Sequence, residues 1–191
     1  MYHICEHPLI SELLIQMRDR NTPNNIFRNN LEEITSLMGH EIFRHITLKE
    51  NVIFVPVLRA GLGMLSPMLT LVPSANVGFV ALERNHDTLI AAKSYVKIPA
   101  VENSFVVILD PMLATGGSLA QTVDEIKAHG YQNIIIVSLL AAPEGLAYLE
   151  KTHPDVNIYL AAKDEKLNDV GYIVPGLGDA GDRLYGVAEE N

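Results

Sequence analysis

The stretch Phe105–Ser118, F-V-V-I-L-D-P-M-L-A-T-G-G-S, carries the residue types of an anion site. An apolar run ends in Asp110, a loop of small residues follows, and an amphipathic segment begins, so a strand, a turn and a helix are expected in that order. Such a turn aims backbone N–H groups and a helix N-terminus at one point. Thr115 and Ser118 add hydroxyl donors, while Gly116 and Gly117 let an oxygen come close to the backbone. Phosphate is the anion these parts suit. A carboxylate at Asp110 repels it unless that carboxylate meets hydroxyls or a metal, and a sugar phosphate supplies the hydroxyls. The competing view of Asp110 is a plain turn residue at a strand end. No G-K-[ST] follows the glycines, so the loop is not a Walker A and nucleoside triphosphate hydrolysis loses support.

Elsewhere the chemistry-bearing types are sparse. G-L-G-M-L-S at 61–66 is a near miss to G-x-G-x-x-G and does not carry dinucleotide binding. The seven histidines form no Ser/His/Asp arrangement and are read as structural, and the single Cys5 has neither a disulfide partner nor zinc-ligand spacing. No resident metal site is expected. The stretch 171–183, G-Y-I-V-P-G-L-G-D-A-G-D-R, is too rich in glycine for a helix and is expected as a shaped binding loop, anchored by Tyr172, Ile173, Val174 and Leu177.

The elements that must position these residues follow from apolar patterning. Continuous runs at Val52–Leu58, Val77–Leu82, Phe105–Leu109, Ile134–Leu140 and Asn157–Ala161 read as parallel strands buried on both faces. Helices are expected between them at Met64–Leu71, Gly117–His129 and Pro143–Lys151. Two more precede the strands: one over Leu9–Arg18, and one from Thr22 to Ile42 with Thr22 as N-cap and Pro23 in the first turn. The second carries an apolar stripe of Phe27, Leu31, Ile34, Met38 and Ile42. Strands alternating with helices define an α/β fold with one central parallel sheet, whose ligands lie beyond the strand carboxyl ends.

With 191 residues, 48% hydrophobic and 19% charged, the chain is expected as one domain with a sizeable core, which excludes disorder. The net charge of −9 excludes nucleic acid as a partner held by a broad basic surface. Acidity is concentrated in the second half, so a phosphate ligand needs local N–H groups and a divalent ion rather than bulk attraction. No apolar run approaches the ~20 residues that span a bilayer, and no signal peptide is apparent, so a cytoplasmic protein without membrane contact is expected.

D-P-M-L-A-T-G-G-S resembles the phosphoribosyl diphosphate (PRPP) loop of the type I phosphoribosyltransferases, in the form found in the uracil phosphoribosyltransferase family. Matches to that family continue in order: V-P-V-L-R-A-G-L-G-M at 55–64, L-L-A-A-P-E-G-L at 139–146, H-P-D-V-N-I-Y-L-A-A at 153–162 and L-N-D-V-G-Y-I-V-P-G-L-G-D-A-G-D-R at 167–183. The resemblance implies a core sheet with a small hood. It divides the single domain into a helical hood part (1–50), a PRPP-binding core (51–165) and a uracil-binding C-terminal segment (166–191).

The same resemblance implies PRPP contacts from Arg59, Arg84, Asp110, Pro111, Met112, Leu113, Ala114, Thr115, Gly116, Gly117, Ser118 and Asp179. Asp110 would take the ribose hydroxyls, and Ala114–Ser118 the 5-phosphate. Arg59 would take the diphosphate, a role a guanidinium at a strand end suits because it forks onto phosphate oxygens. Arg84 stands in A-L-E-R-N-H-D, where Asn85 replaces the family's usual acid, and a solvated loop charge is the alternative. Lys97 matches a family lysine without an assigned role. Uracil would be held by Ile173, Gly178, Asp179 and Ala180. Asp179, Arg59 and Arg84 are the implied catalytic residues, and Mg²⁺ is implied as an ion bound mainly through PRPP.

The implied reaction is uracil plus PRPP giving UMP plus diphosphate, in pyrimidine salvage. A PRPP- or UMP-binding regulatory protein on the same fold is the alternative. A homo-oligomer, dimer or higher, is also implied. The family's hairpin arm is missing, because only His45–Val52 connects the long helix to the first core strand, so the contact is expected on the N-terminal helices, Phe27 and Leu31 included, and on the sheet edges.

Overall fold

The computed structural model describes residues 1–45, 51–84 and 91–187. A short strand, β1 (Tyr2–Ile4), is followed by α1 (Pro8–Arg18) and α2 (Asn24–His45). The alternating part comprises β2 (Asn51–Pro56), α3 (Leu62–Leu71), β3 (Asn76–Val77), β4 (Phe79–Arg84), β5 (Ala91–Lys97), β6 (Ser104–Leu109), β7 (Met112–Leu113), α4 (Gly117–Ala128), β8 (Ile134–Ala141), α5 (Pro143–Thr152) and β9 (Asn157–Lys163). The chain closes with β10 (Lys166–Leu167), β11 (Ile173–Val174) and α6 (Ala180–Tyr185).

The central sheet has the order β1-β9-β8-β6-β2-β3, every pair parallel, and β7 extends the end of β8. Its interior strands are apolar at successive positions because both faces are covered. Val52 and Phe54 of β2, with Phe105 and Val107 of β6, face a core shared with α1, α2, α3 and the C-terminal segment. Ile53, Val55, Val106 and Ile108 face the opposite core, built with α4 and α5. All carboxyl ends therefore lie on one edge of the sheet, where the loops after β2, β6 and β8 emerge.

The stripe Phe27, Leu31, Ile34, Met38 and Ile42 of α2 is fully buried in the chain's own core. This corrects the expected oligomer contact: an apolar stripe does not reveal whether a partner or the chain's own sheet covers it, and here the sheet and α3 do. Thr22 is not a helix cap. Its hydroxyl donates to the Gln16 carbonyl at 2.6 Å, and α2 starts at Asn24 with the Pro23 carbonyl accepting from Phe27 N–H.

The single strand expected at Val77–Leu82 is divided. Gly78 N–H donates to Phe54 O at 2.9 Å and continues the pairing to β2, and β4 keeps one parallel bridge to the main sheet, Val57↔Val80, while it pairs antiparallel with β5. The short connection proposed between His45 and Val52 lies largely at 46–50, outside the described residues. No helix among the described residues is long and apolar enough to cross a membrane.

Candidate active site

Parallel pairing of β2 and β6, in register from Asn51↔Ser104 to Pro56↔Leu109, sets the turn after β2 against the end of β6. Val57 N–H donates to Leu109 O at 2.9 Å, and Leu109 is followed directly by Asp110. Gly61 permits this contact, because a Cβ there would stand 2.2 Å from Leu109 O. Arg59 and Asp110 are thus presented from adjacent strand ends.

The PRPP-like loop has two parts. Pro111–Leu113 is tied to the sheet: Pro111 O accepts from Leu139 and Leu140 N–H, Met112 and Leu113 form β7, and Leu113 O accepts from Ala142 N–H. Ala114–Ser118 is the more open half, with Thr115 exposed. Gly116, the residue before α4, has φ +83°, which only glycine adopts at low cost, and a Cβ there would meet Gly145 O at 2.9 Å and Tyr148 Cδ1 at 3.2 Å. Gly116 has no side chain to cap α4, and Thr115 Oγ1 accepts from Gly117 N–H only at a long 3.5 Å, so the helix's positive dipole end stays open to a ligand. The Asp110 carboxylate accepts from Met112 N–H at 3.2 Å, and burial pushes its pKa up to about 7, the hydrogen bond opposing only part of that rise.

The C-terminal segment is not a loose loop. Arg18 forks onto Asp164 at 2.6 and 2.8 Å and also donates to Gly176 O, while Gly176 N–H donates back to Asp164 Oδ2 at 2.8 Å. Arg183 donates to the carbonyls of Met17, Asp19 and Leu177 and lies over the Phe27 ring. Arg28 donates to Leu184 O at 2.7 Å. Apart from the Arg18–Asp164 pair, these charge-assisted bonds fix backbone, as a loop presenting main-chain groups requires.

The expectation of no helix in this stretch is corrected. Asp179 Oδ1 accepts from Asp182 N–H at 2.9 Å and so caps α6, whose start at Ala180 the glycines on either side had concealed. Tyr172, Ile173, Gly178, Asp179, Asp182 and Arg20 line a cleft of about 640 Å³. Ala180, the first residue of α6, is buried beside it. The cleft's loop also approaches the PRPP-like turn: a Cβ on Gly171 would lie 4.0 Å from Thr115 Cγ2. A separate cleft of about 660 Å³ lies at the opposite edge of the sheet, lined by 100–104 and 129–133, and holds none of these groups.

Arg59 is 57% exposed, and its Nη2 donates to Asp182 Oδ1 at 2.7 Å. That bond, with the charges of Asp182 and Asp179, raises its pKa further. Asp182, Arg18 and Asp164 were not singled out by sequence; a D-x-x-D spacing on a glycine-rich stretch was the only local signal for Asp182. Arg84 is the last residue of β4, and its side chain, with Asn85, lies outside the described part. Among the described residues no cluster of three His, Cys, Asp or Glu could hold a metal ion.

The parallel sheet, with the N-terminus of α4 and Asp110 at neighbouring strand ends, has the phosphoribosyltransferase fold. Its likeness to a hypoxanthine-guanine phosphoribosyltransferase from Bacillus anthracis, with a TM-score of 0.56 over 74% of this chain and 80% of that one at 14% identity, shows that fold. The family model for uracil phosphoribosyltransferase matches residues 45–187, and the chain belongs to that family. Uracil phosphoribosyltransferases of Bacillus velezensis and Ureaplasma urealyticum are 47% and 44% identical, over 96% and 97% of this chain and 97% and 99% of their own length. The alignment to the first runs over 203 positions, more than the 191 residues present here, so that relative carries positions this chain lacks. The solved structure of the AQ2163 protein from Aquifex aeolicus matches with a TM-score of 0.92 and 39% identity over 100% of both chains.

Proposed function

We propose that the chain transfers the phosphoribosyl group of PRPP to N1 of uracil, giving UMP and diphosphate in pyrimidine salvage. The observation that carries this is the placement on one sheet edge of the N-terminus of α4, Asp110, Arg59 and a loop braced by its backbone. The alternative of a regulatory binding protein gains nothing from the relatives, which match at 44–47% identity over nearly their whole length and bear the enzyme's name.

In this mechanism the N–H groups and hydroxyls of Ala114–Ser118 hold the 5-phosphate, and Asp110 accepts from the ribose hydroxyls. The backbone at Ile173 and Gly178–Ala180 holds the base with N1 in line with the anomeric carbon. Uracil offers acceptor, donor and acceptor along O2, N3–H and O4, which main-chain groups can complement. Cytosine reverses two of these and leaves buried groups unpaired. Bond making and breaking pass through an oxocarbenium-like transition state that needs no covalent nucleophile, so catalysis consists of alignment and neutralisation of the departing diphosphate. Arg59 and Arg84 supply protein charge there, and Asp179 contacts PRPP from the base side. Mg²⁺ enters as part of the Mg²⁺–PRPP substrate and adds positive charge to the diphosphate.

The reaction is assigned to the cytoplasm, and the working form to a homo-oligomer. With the α2 stripe buried, the exposed apolar residues Tyr2 and Ile4 of β1 and Ile15 of α1 replace Phe27 and Leu31 as its contact, and sedimentation of the purified chain reads its state. Incubation with labelled uracil, PRPP and Mg²⁺ tests the function: UMP and diphosphate should appear in equal amounts, and their absence with folded protein overturns it.

A further inference from the structure

Arg59 is a long, mostly exposed side chain, yet it has one defined orientation, and that orientation comes from α6. Nη2 donates to Asp182 Oδ1 at 2.7 Å, and the Tyr185 hydroxyl donates to the Arg59 carbonyl at 3.1 Å. Asp182 and Tyr185 are three residues apart and so share a face of α6, whose cap is Asp179 of the base-binding loop. Nε and Nη1 of Arg59 carry no partner among the described residues. The turn after β2 and the base loop are thereby joined through one helix.

An exposed ion pair contributes little to stability. Its effect here is on geometry, since a guanidinium already held in place loses less side-chain freedom when phosphate oxygens arrive. Asp182 is also tolerable beside an anionic ligand only while Arg59 covers its charge.

We propose that Asp182 is a positioning residue for PRPP: it holds the Arg59 guanidinium with one edge engaged and the other open to the diphosphate, and couples that position to the base loop through α6. This rests on the functional reading above, in which Arg59 meets the diphosphate.

The test compares wild type, D182A, D182N, R59A and the R59A/D182A double variant in steady-state kinetics with each substrate varied, beside thermal melting and calorimetric PRPP titration. D182A should raise the PRPP KM about tenfold while the uracil KM stays within about twofold and the melting temperature is nearly unchanged. D182N, which keeps an acceptor for Nη2, should recover most of the loss. In the R59A background, D182A should add nothing. The proposal is overturned by a PRPP KM for folded D182A within about twofold of wild type, or by an undiminished effect of D182A in the R59A background. A large melting loss in D182A that D182N does not repair overturns it as well, because the role is then structural. Calorimetry reads the pair without turnover, so a wild type that binds PRPP but makes no UMP would count against the functional reading and leave this comparison intact.

Discussion

Replacing Asp110 with Asn should stabilise the ligand-free chain at neutral pH and weaken its hold on PRPP. Burial lifts the Asp110 pKa from 3.8 to about 7, so the folded chain holds a proton there that the unfolded chain has already released. Wild-type stability contributed by this group is whole below pH 4, falls as pH rises toward 7, and is flat beyond. The interval, at about 1.4 kcal/mol per pH unit, caps the loss at about 4 kcal/mol, and the carboxylate's remaining contact with solvent brings it to about 2 kcal/mol. For a chain of this length that is roughly 4–8 °C in melting temperature. Asn keeps an acceptor for Met112 N–H but has no charge to desolvate. Its melting curves should therefore match wild type near pH 4 and exceed it by that amount at pH 8, while PRPP should raise its melting temperature far less. Wild-type and variant curves that run parallel from pH 4 to 8 would refute the burial argument, and an unchanged PRPP response would refute the hydroxyl contact.

Gly116→Val places a Cβ against Gly145 O in a positive-φ turn, and PRPP affinity should fall at least about tenfold by calorimetry; unchanged affinity in a folded variant would remove the phosphate turn. Asp179→Asn keeps an oxygen to cap α6, so the melting temperature should hold while turnover falls at least about tenfold; a destabilised variant with normal turnover would contradict the substrate role. Arg18→Ala strands the buried Asp164 carboxylate and should cost about 3–5 kcal/mol in denaturant unfolding, with a loss of uracil affinity through the freed Gly176 turn. A small cost with normal uracil binding would show that the base loop does not depend on this brace.

What was legible in the sequence was local. The strand, acid, glycine turn and helix of Phe105–Ala128 lie within one stretch, and the parallel strands announce themselves by apolar runs without alternation. What was missed depended on distant partners. Arg18 meets Asp164, and Arg59 meets Asp182, across most of the chain, and nothing in the spacing of either residue marks the other. The helix at Ala180 was hidden because glycine lowers helix propensity, whereas here a cap and the buried Leu184 outweigh it. The β4–β5 ribbon was missed because β5, A-A-K-S-Y-V-K, has no continuous apolar run to mark it as a strand. Phe27 and Leu31 formed a correct helix stripe whose cover, the chain's own sheet, no pattern of period alone could name.

The most direct test of the account is kcat/KM for UMP formation with uracil against the same ratio for cytosine, at saturating Mg²⁺–PRPP. A base held by main-chain groups in fixed positions predicts robust turnover with uracil and a preference over cytosine on the order of 10⁴-fold. Comparable rates with both bases, or turnover with neither, would contradict it.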